Sequence, residues 1–388
     1  MKNAPALLLL ALAISISSCS NKKSDCISVN KDGIPVIEIE KITEKGELSF
    51  TDLMKDFQIT RLETNEECLV DDVFRRYVTE DYIIVGTSMN GIMLFGRDGK
   101  FIRKITGRGT GPGEVIGSYH LEYNELTQSL IIASDYYSAG FLKAFKLPGG
   151  KFSKIKINTD GTINDFLVSD SLIILSPLSF EDSCRVISQT LSGRELFRIN
   201  HSNDFKAYYA NVYLIDNKLM FNYSHGGNKM YYIESGELVP HSIYSFKGNM
   251  YTGIQQDIGD VLLFLMPLNT NMVRGIFSRV SGHESFDNSD FKRATFDEYI
   301  IFIFNKSNGS AYLIDKIKDD FLGSDKTIES IQSNGLFSQI YEVQELFNLR
   351  DLINDDPEAS VQIKKRLNSL CDQLDPNDNP VFLIAKTK

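Results

Sequence analysis

Side chains able to do chemistry are spread thinly along these 388 residues. The five histidines, His120, His201, His225, His241 and His283, never stand in the HExxH spacing that puts two imidazoles on one helix face, and no GxSxG nucleophile elbow is present. Zinc-protease and serine-nucleophile chemistry therefore have no local signature. Cys26, Cys68, Cys184 and Cys371 form no CxxC and show no regular spacing, so free buried thiols are expected rather than a zinc site or a disulfide framework. Asp71-Asp72 and Asp319-Asp320 offer carboxylates to calcium or another divalent cation, which takes several oxygens at once. Both lack the Dx[DN]xDG spacing and read as solvated turns; no cofactor is expected.

The densest run of special residues is Gly107-Arg108-Gly109-Thr110-Gly111-Pro112-Gly113-Glu114. A phosphate cradle needs such glycines to open a helix, with GK[ST] in the P-loop version. Here Val115 to Leu121 is rich in β-formers and no GK[ST] follows, so the glycines and Pro112 serve to end a strand and turn the chain. Arg108 and Glu114 are candidates for a charged pair at the rim of this loop. A Glu entering a strand also caps loop amides, and both roles stand at this point.

The elements around the loop are strands. Arg97-Asp98-Gly99-Lys100 places Asp-Gly between two apolar runs, predicting a hairpin of Ile92–Phe95 with Phe101–Ile105. A polar turn followed by an apolar run recurs with Ile83, Leu130, Leu172, Leu219, Leu262 and Ile300 as markers, at spacings of 47, 42, 47, 43 and 38 residues. Six units of that length, each holding several short strands, are the signature of a propeller. The runs are apolar on both faces, as expected of strands packed between neighbouring sheets. The units read as 73–106, 119–157, 163–199, 208–244, and two less regular ones from about 251 and 294, with Pro148-Gly149-Gly150, Ser192-Gly193 and Ser235-Gly236 as last turns of the second to fourth. From residue 341 the period changes. Tyr341 to Ile353 and Val361 to Leu374 carry helical spacing, the second behind Asp356-Pro357 as a helix start. Asn379 to Lys386 is again a strand, expected to pair with the region of Phe57 to Leu62 and close a ring.

Composition narrows the function class. Seventeen Tyr and twenty-five Phe against ten Pro fit a strand-rich core. A net charge of −10 leaves no basic stripe, which excludes nucleic acid as a main partner. Lys2, the apolar stretch Ala4 to Ile16 and the small residues before Cys19 read as a secretory signal too short to span a bilayer. Ile16-Ser17-Ser18-Cys19 resembles a bacterial lipobox, making Cys19 the lipid anchor and the membrane a partner. Ser20 resembles outer-membrane sorting. Lys22-Lys23 in the tether contrasts with the acidic tethers of surface-exported lipoproteins, so the chain is placed on the periplasmic side, with the cell surface as the alternative.

Taken together, Arg61-Leu62-Glu63-Thr64, Phe95-Gly96-Arg97-Asp98-Gly99-Lys100-Phe101, the Gly107 to Glu114 loop and Asp378-Asn379-Pro380-Val381-Phe382 resemble the six-bladed β-propeller lipoproteins of Bacteroides-type bacteria, related in architecture to the NHL-repeat propellers. The resemblance implies an all-β, six-bladed propeller with a small helical C-terminal extension. It implies the division 1–18 signal peptide, 19–48 anchor and tether, 49–340 propeller, 341–378 helical extension and 379–388 closing strand. Some NHL-like propellers hold a metal in the central channel through several histidines and act as lyases or hydrolases. Here only His120 falls on an expected inner strand, the comparable places holding Asn164, Asp165, Tyr208, Tyr209 and Thr252. The reading is thus a lipid-anchored envelope module that binds a protein, small molecule or glycan. The rival is a channel-centred hydrolase or lyase using a divalent cation. Candidate ligand-binding residues are Arg108, Glu114, His120, Asp165 and Tyr209.

Overall fold

The Asp98-Gly99 turn joins Gly91–Gly96 to Phe101–Thr106, and Gly99 adopts a φ of +84° that an L side chain rarely takes. The computed structural model containing this hairpin describes residues 27–388 apart from 39–40, 43, 116–118, 135–139, 160–161, 178–183, 201–209, 216–217, 224–228, 246–253, 259–260, 268–298, 306–309, 315–316, 327, 329–331 and 333.

The hairpin completes a four-stranded antiparallel sheet, sheet one, with Val73–Val78 and Tyr82–Thr87. Sheet two is Tyr119–Asn124, Ser129–Ser134, Phe141–Lys146 and Lys151–Lys156; sheet three is Ile163–Ser169, Leu172–Pro177, Cys184–Thr190 and Glu195–Asn200. Sheet four holds Ala210–Ile215, Lys218–Tyr223, Lys229–Glu234 and Glu237–Ser245. Within each sheet the strands follow chain order. The first strands of sheets one to four contact one another in succession.

Both-sided burial has a direct cause. In sheet two Leu130 and Ile132 pack with Ile84 and Leu94 of sheet one, while the intervening Ile131 and Ala133 pack with Ile173 and Leu175 of sheet three. In sheet three Ile174 continues the pattern against Phe221 of sheet four. Successive residues of a strand point to opposite faces, so a run buried on both sides must be apolar throughout. Each such Ile or Leu contributes about 1.5–3 kcal/mol by leaving water.

The last hairpin turn of each sheet docks on the outer strand of the sheet before it. Gly99, Gly150, Gly193 and Gly236 all have φ between +69° and +85°. A Cβ on Gly150 would meet Arg103 at 3.1 Å, one on Gly193 would meet the Lys156 carbonyl at 3.0 Å, and one on Gly236 would meet Phe197 at 3.0 Å. On Gly99 it would overlap the Arg61 carbonyl.

Two expectations change. Ile300 does not open a sixth sheet: Tyr299–Asn305 is the third strand of sheet five, between Val261–Pro267, with Ile303 opposite Leu263, and Ala311–Ile314, while Ile254–Ile258 is the first strand. Second and third strands are both interior, so their burial patterns are alike. Besides a parallel pair of Leu48–Ser49 with Ile317–Lys318, a further sheet is three-stranded and draws on both ends of the chain. Val381–Thr387 lies in its middle, between Leu336–Tyr341 and Met54–Arg61, with Phe382 opposite both Ile340 and Thr60. Leu336–Tyr341 contacts the first strand of sheet one. Within the stretch 19–48, read as anchor and tether, the alternating run from Val36 is a strand, and a second strand precedes it. Ile27–Val29 and Pro35–Glu38 form a hairpin on the outer edge of sheet four, because Asn30 and Gly33 (φ +78°) turn two short runs back on each other.

Helices Val343–Asp355 and Val361–Cys371 bury Leu346, Ile353, Leu367 and Leu370 in one core with Phe337 and Leu383. The second starts later than Asp356-Pro357. Asp356 accepts the Glu358 amide in a turn, and Ser360 is the cap, accepting the Gln362 amide at 3.3 Å. Asp319-Asp320 is not a pair of solvated turn residues either. Asp319 is 3% exposed, and its carboxylate accepts the amides of Phe321, Leu322 and Ser324 and the Tyr341 hydroxyl at 2.9 Å. Burial pushes its pKa up. Asp320 accepts the Thr51 amide and hydroxyl.

Candidate functional site

The first strands of sheets one to four lie side by side in one direction, with Tyr77 against Tyr123 and Asp165 against Val212, so they begin at the same end, the crossover end, where the loop 107–115 lies. Arg108, Glu114, His120 and Asp165 are all at that end of their elements. Tyr209 and Cys19 lie outside the described residues.

The glycine loop folds around Glu114. Its carboxylate accepts the Gly111 amide at 2.9 Å and sits against Gly109 and Gly111 so closely that a Cβ on either would push it aside. The loop closes through Gly109 N–H to the Val115 carbonyl at 2.9 Å and Val115 N–H to the Gly107 carbonyl at 3.1 Å. Thr106 Oγ1 donates to the Gly113 carbonyl, and Lys143 Nζ donates to the Glu114 carbonyl. Lys143 is buried on the third strand of sheet two, and desolvation lowers its pKa. Of the two roles left open for Glu114, the loop-amide cap is the one formed. Arg108 does not reach it: the guanidinium donates to the Ser88 carbonyl and lies 4.0 Å from Met89 Sδ.

Asp165 joins two sheets. One carboxylate oxygen accepts the Phe166 amide at 3.0 Å, and the other accepts the Val212 amide, on the first strand of sheet four, at 3.1 Å. Burial pushes its pKa up to about 7 despite both amides. Arg76 does the same between other sheets, donating to Ser338 Oγ at 3.1 Å and to the Ser338 carbonyl at 3.2 Å. His120 is half-buried, opposite Ala133. The structure therefore places the four described candidates at one end but shows no convergence of their functional groups. Among the described residues no group of three His, Cys, Asp or Glu side chains is placed to hold a metal ion. Cys68, Cys184 and Cys371 are buried.

Two residues escaped the sequence reading. Leu69 is 50% exposed and Met89 69% exposed at the crossover end. They are linked through Asn90, whose side chain donates to the Leu69 carbonyl at 3.1 Å, and through Asp71, which accepts the Met89 amide at 2.9 Å. In sequence both sit in unremarkable polar turns; only tertiary exposure marks them. With Arg108 they make a partly apolar, partly cationic surface.

A family model described as a domain of unknown function, DUF4934, matches residues 34–386. The chain belongs to the DUF4934 family. No curated protein matches this DUF4934 chain. Among solved structures, a protein of Bacteroides fragilis NCTC 9343 named as exported is 14% identical and aligns with a TM-score of 0.60 over 89% of this chain and 99% of its own. That likeness shows a shared fold along nearly the whole length. A catalytically inactive virginiamycin B lyase from Staphylococcus aureus with quinupristin is 13% identical, with a TM-score of 0.42 over 66% of this chain and 74% of its own. The computationally designed protein Ika8 is 11% identical, with a TM-score of 0.37 over 66% and 64%.

Proposed function

We propose that this chain is a lipid-anchored cell-envelope protein whose six sheets close into a propeller ring, and whose crossover end presents a contact surface to a protein, small-molecule or glycan ligand. The observation that carries the scaffold reading is the use made of the charged candidates. Glu114 holds the Gly111 amide, Arg108 holds a carbonyl and Asp165 ties two sheets, while Leu69 and Met89 remain exposed, Met89 beside Arg108. Exposed apolar residues rimmed by polar ones favour contact over catalysis. Ring closure is supported by a sheet that takes its middle strand from the C-terminus and its outer strand from the N-terminal part. An envelope address, on the periplasmic side of the outer membrane, is supported by the signal-like start with Cys19 and by the fold shared with a protein named as exported.

Photo-cross-linking in the native cell tests the contact surface. A cross-linker at Met89 is expected to give a discrete adduct, whereas one at Lys100, in a turn at the opposite end, gives none. No adduct from Met89, or equal adducts from both, would refute the placement.

A further inference from the structure

The hairpin Ile27–Glu38 fixes where the chain leaves the body of the protein. Asn30 holds its turn by accepting the Asp32 and Ile34 amides at 3.0 and 2.9 Å. Pro35–Glu38 then runs parallel to Glu237–Ser245, with Val36 opposite Ile243 and Glu38 opposite Ser245. The fourth strand of a sheet runs toward the crossover end, so Glu38 points that way and Ile27, opposite Ile37, starts there. The sheet thus has six strands, with Ile27–Val29 outermost and Val29 66% exposed.

Seven residues separate Cys19 from Ile27, so the chain between them, eight residue steps, reaches at most about 28 Å when fully extended. A tether running freely to Phe50 would leave the orientation open, since flexible chains sample all directions. Docking residues 27–38 on sheet four removes that freedom. Lys22 and Lys23 lie within the short remaining span, where an anionic headgroup layer would attract them.

We propose that the outer edge of sheet four, at its crossover end, is the surface this protein lays against a lipid bilayer. The proposal rests on the reading that Cys19 carries the anchor. The hairpin is then an orientation device: it sets which rim meets the headgroups and leaves sheet one, three sheets along the array, on the far side.

Energy transfer to vesicles of phosphatidylethanolamine and phosphatidylglycerol carrying a headgroup acceptor dye tests this with the lipidated full-length protein. Donor dyes are placed through Val239→Cys, exposed on the fourth strand of sheet four, and Lys104→Cys, exposed on the outer strand of sheet one, both with Cys26→Ser. The thiols of Cys68, Cys184 and Cys371 are buried and should not compete for label. Transfer from position 239 is expected to exceed that from position 104 severalfold. Replacing residues 27–38 with a Gly/Ser linker of equal length should equalise the two while the protein stays folded and lipidated. Equal transfer in the intact protein, or a difference that survives the linker replacement, would overturn the proposal. Metabolic labelling with palmitate, lost in Cys19→Ala, reads the anchor separately: without label the anchor reading fails, and with label but equal transfer only the orientation fails.

Discussion

Gly99→Ala isolates the turn-on-strand docking that recurs along the array. A methyl group there faces two obstacles at once. The φ of +84° is left-handed, costing an L residue about 1–2 kcal/mol. The new carbon would overlap the Arg61 carbonyl oxygen and stand 2.9 Å from its carbon, so the hairpin must move off Met54–Arg61. That movement stretches the Glu63 N–H bond to the Gly99 carbonyl (2.8 Å) and the Phe101 N–H bond to the Glu63 carboxylate (3.0 Å). A neutral hydrogen bond contributes about 0.5–1.5 kcal/mol and one to a charged group about 1.5–3 kcal/mol. The stiffer unfolded chain returns about 0.4–1 kcal/mol. The net loss is about 3–5 kcal/mol. At about 2.1 cal/mol/K per residue over the 388 residues of the chain, that is a fall of roughly 5 °C in Tm. Scanning calorimetry of the purified protein reads it directly. Gly149→Ala is the control, because nothing lies within 4 Å of a Cβ there and its φ is ordinary. A Tm for Gly99→Ala within 1 °C of the parent, or an equal fall in Gly149→Ala, would refute the docking argument.

Three further outcomes follow. Asp165 has a folded-state pKa of about 7, above its unfolded value, so the folded state holds the extra proton and stability is full below about pH 4 and lost as pH rises toward 7. Denaturation from pH 5 to 7.5 should show a decline on the order of 2 kcal/mol from this group, absent in Asp165→Asn; an unchanged slope in that variant would sink the assignment. Tyr341→Phe removes the hydroxyl that donates to the buried Asp319 carboxylate and should cost about 1.5–3 kcal/mol in urea denaturation, a parental midpoint counting against it. Deleting residues 379–388 removes the middle strand of the three-stranded sheet and should abolish the cooperative melt, whereas an unchanged melt would show that the strand is dispensable.

Much of the fold was legible because propeller-like sheets write themselves locally. Asp98-Gly99, Ser192-Gly193 and Ser235-Gly236 are turns whose chemistry is complete within a few residues, and runs such as Leu172 to Leu175 declare burial on both faces. What failed were assignments needing a partner. Ile300 has the same alternation on the third strand of sheet five as it would have on the second strand of a sixth, and only its pairing with Met266 separates the two. Asp319 looked solvated beside Asp320 because nothing local announces Tyr341, 22 residues on. At the candidate site, the choice for Glu114 between ligand and loop cap could not be read from sequence, because the Gly111 amide its carboxylate accepts is placed by the fold of the loop. Asp165 took its role from Val212, 47 residues away. Met89 carried no signal at all.

The place of Val381–Thr387 says something about how the protein is made. A chain synthesised from its N-terminus brings out Met54–Arg61 early and Leu336–Tyr341 late, yet neither can pair with the other across the gap that the final strand fills. Until the last residues arrive, both present open edges, the feature that invites wrong pairing and degradation. Placing a strand made so late in the middle of a sheet makes native structure conditional on translation reaching it. A product that stops before Val381 is left with two unpaired edges, and is marked as defective by its own architecture.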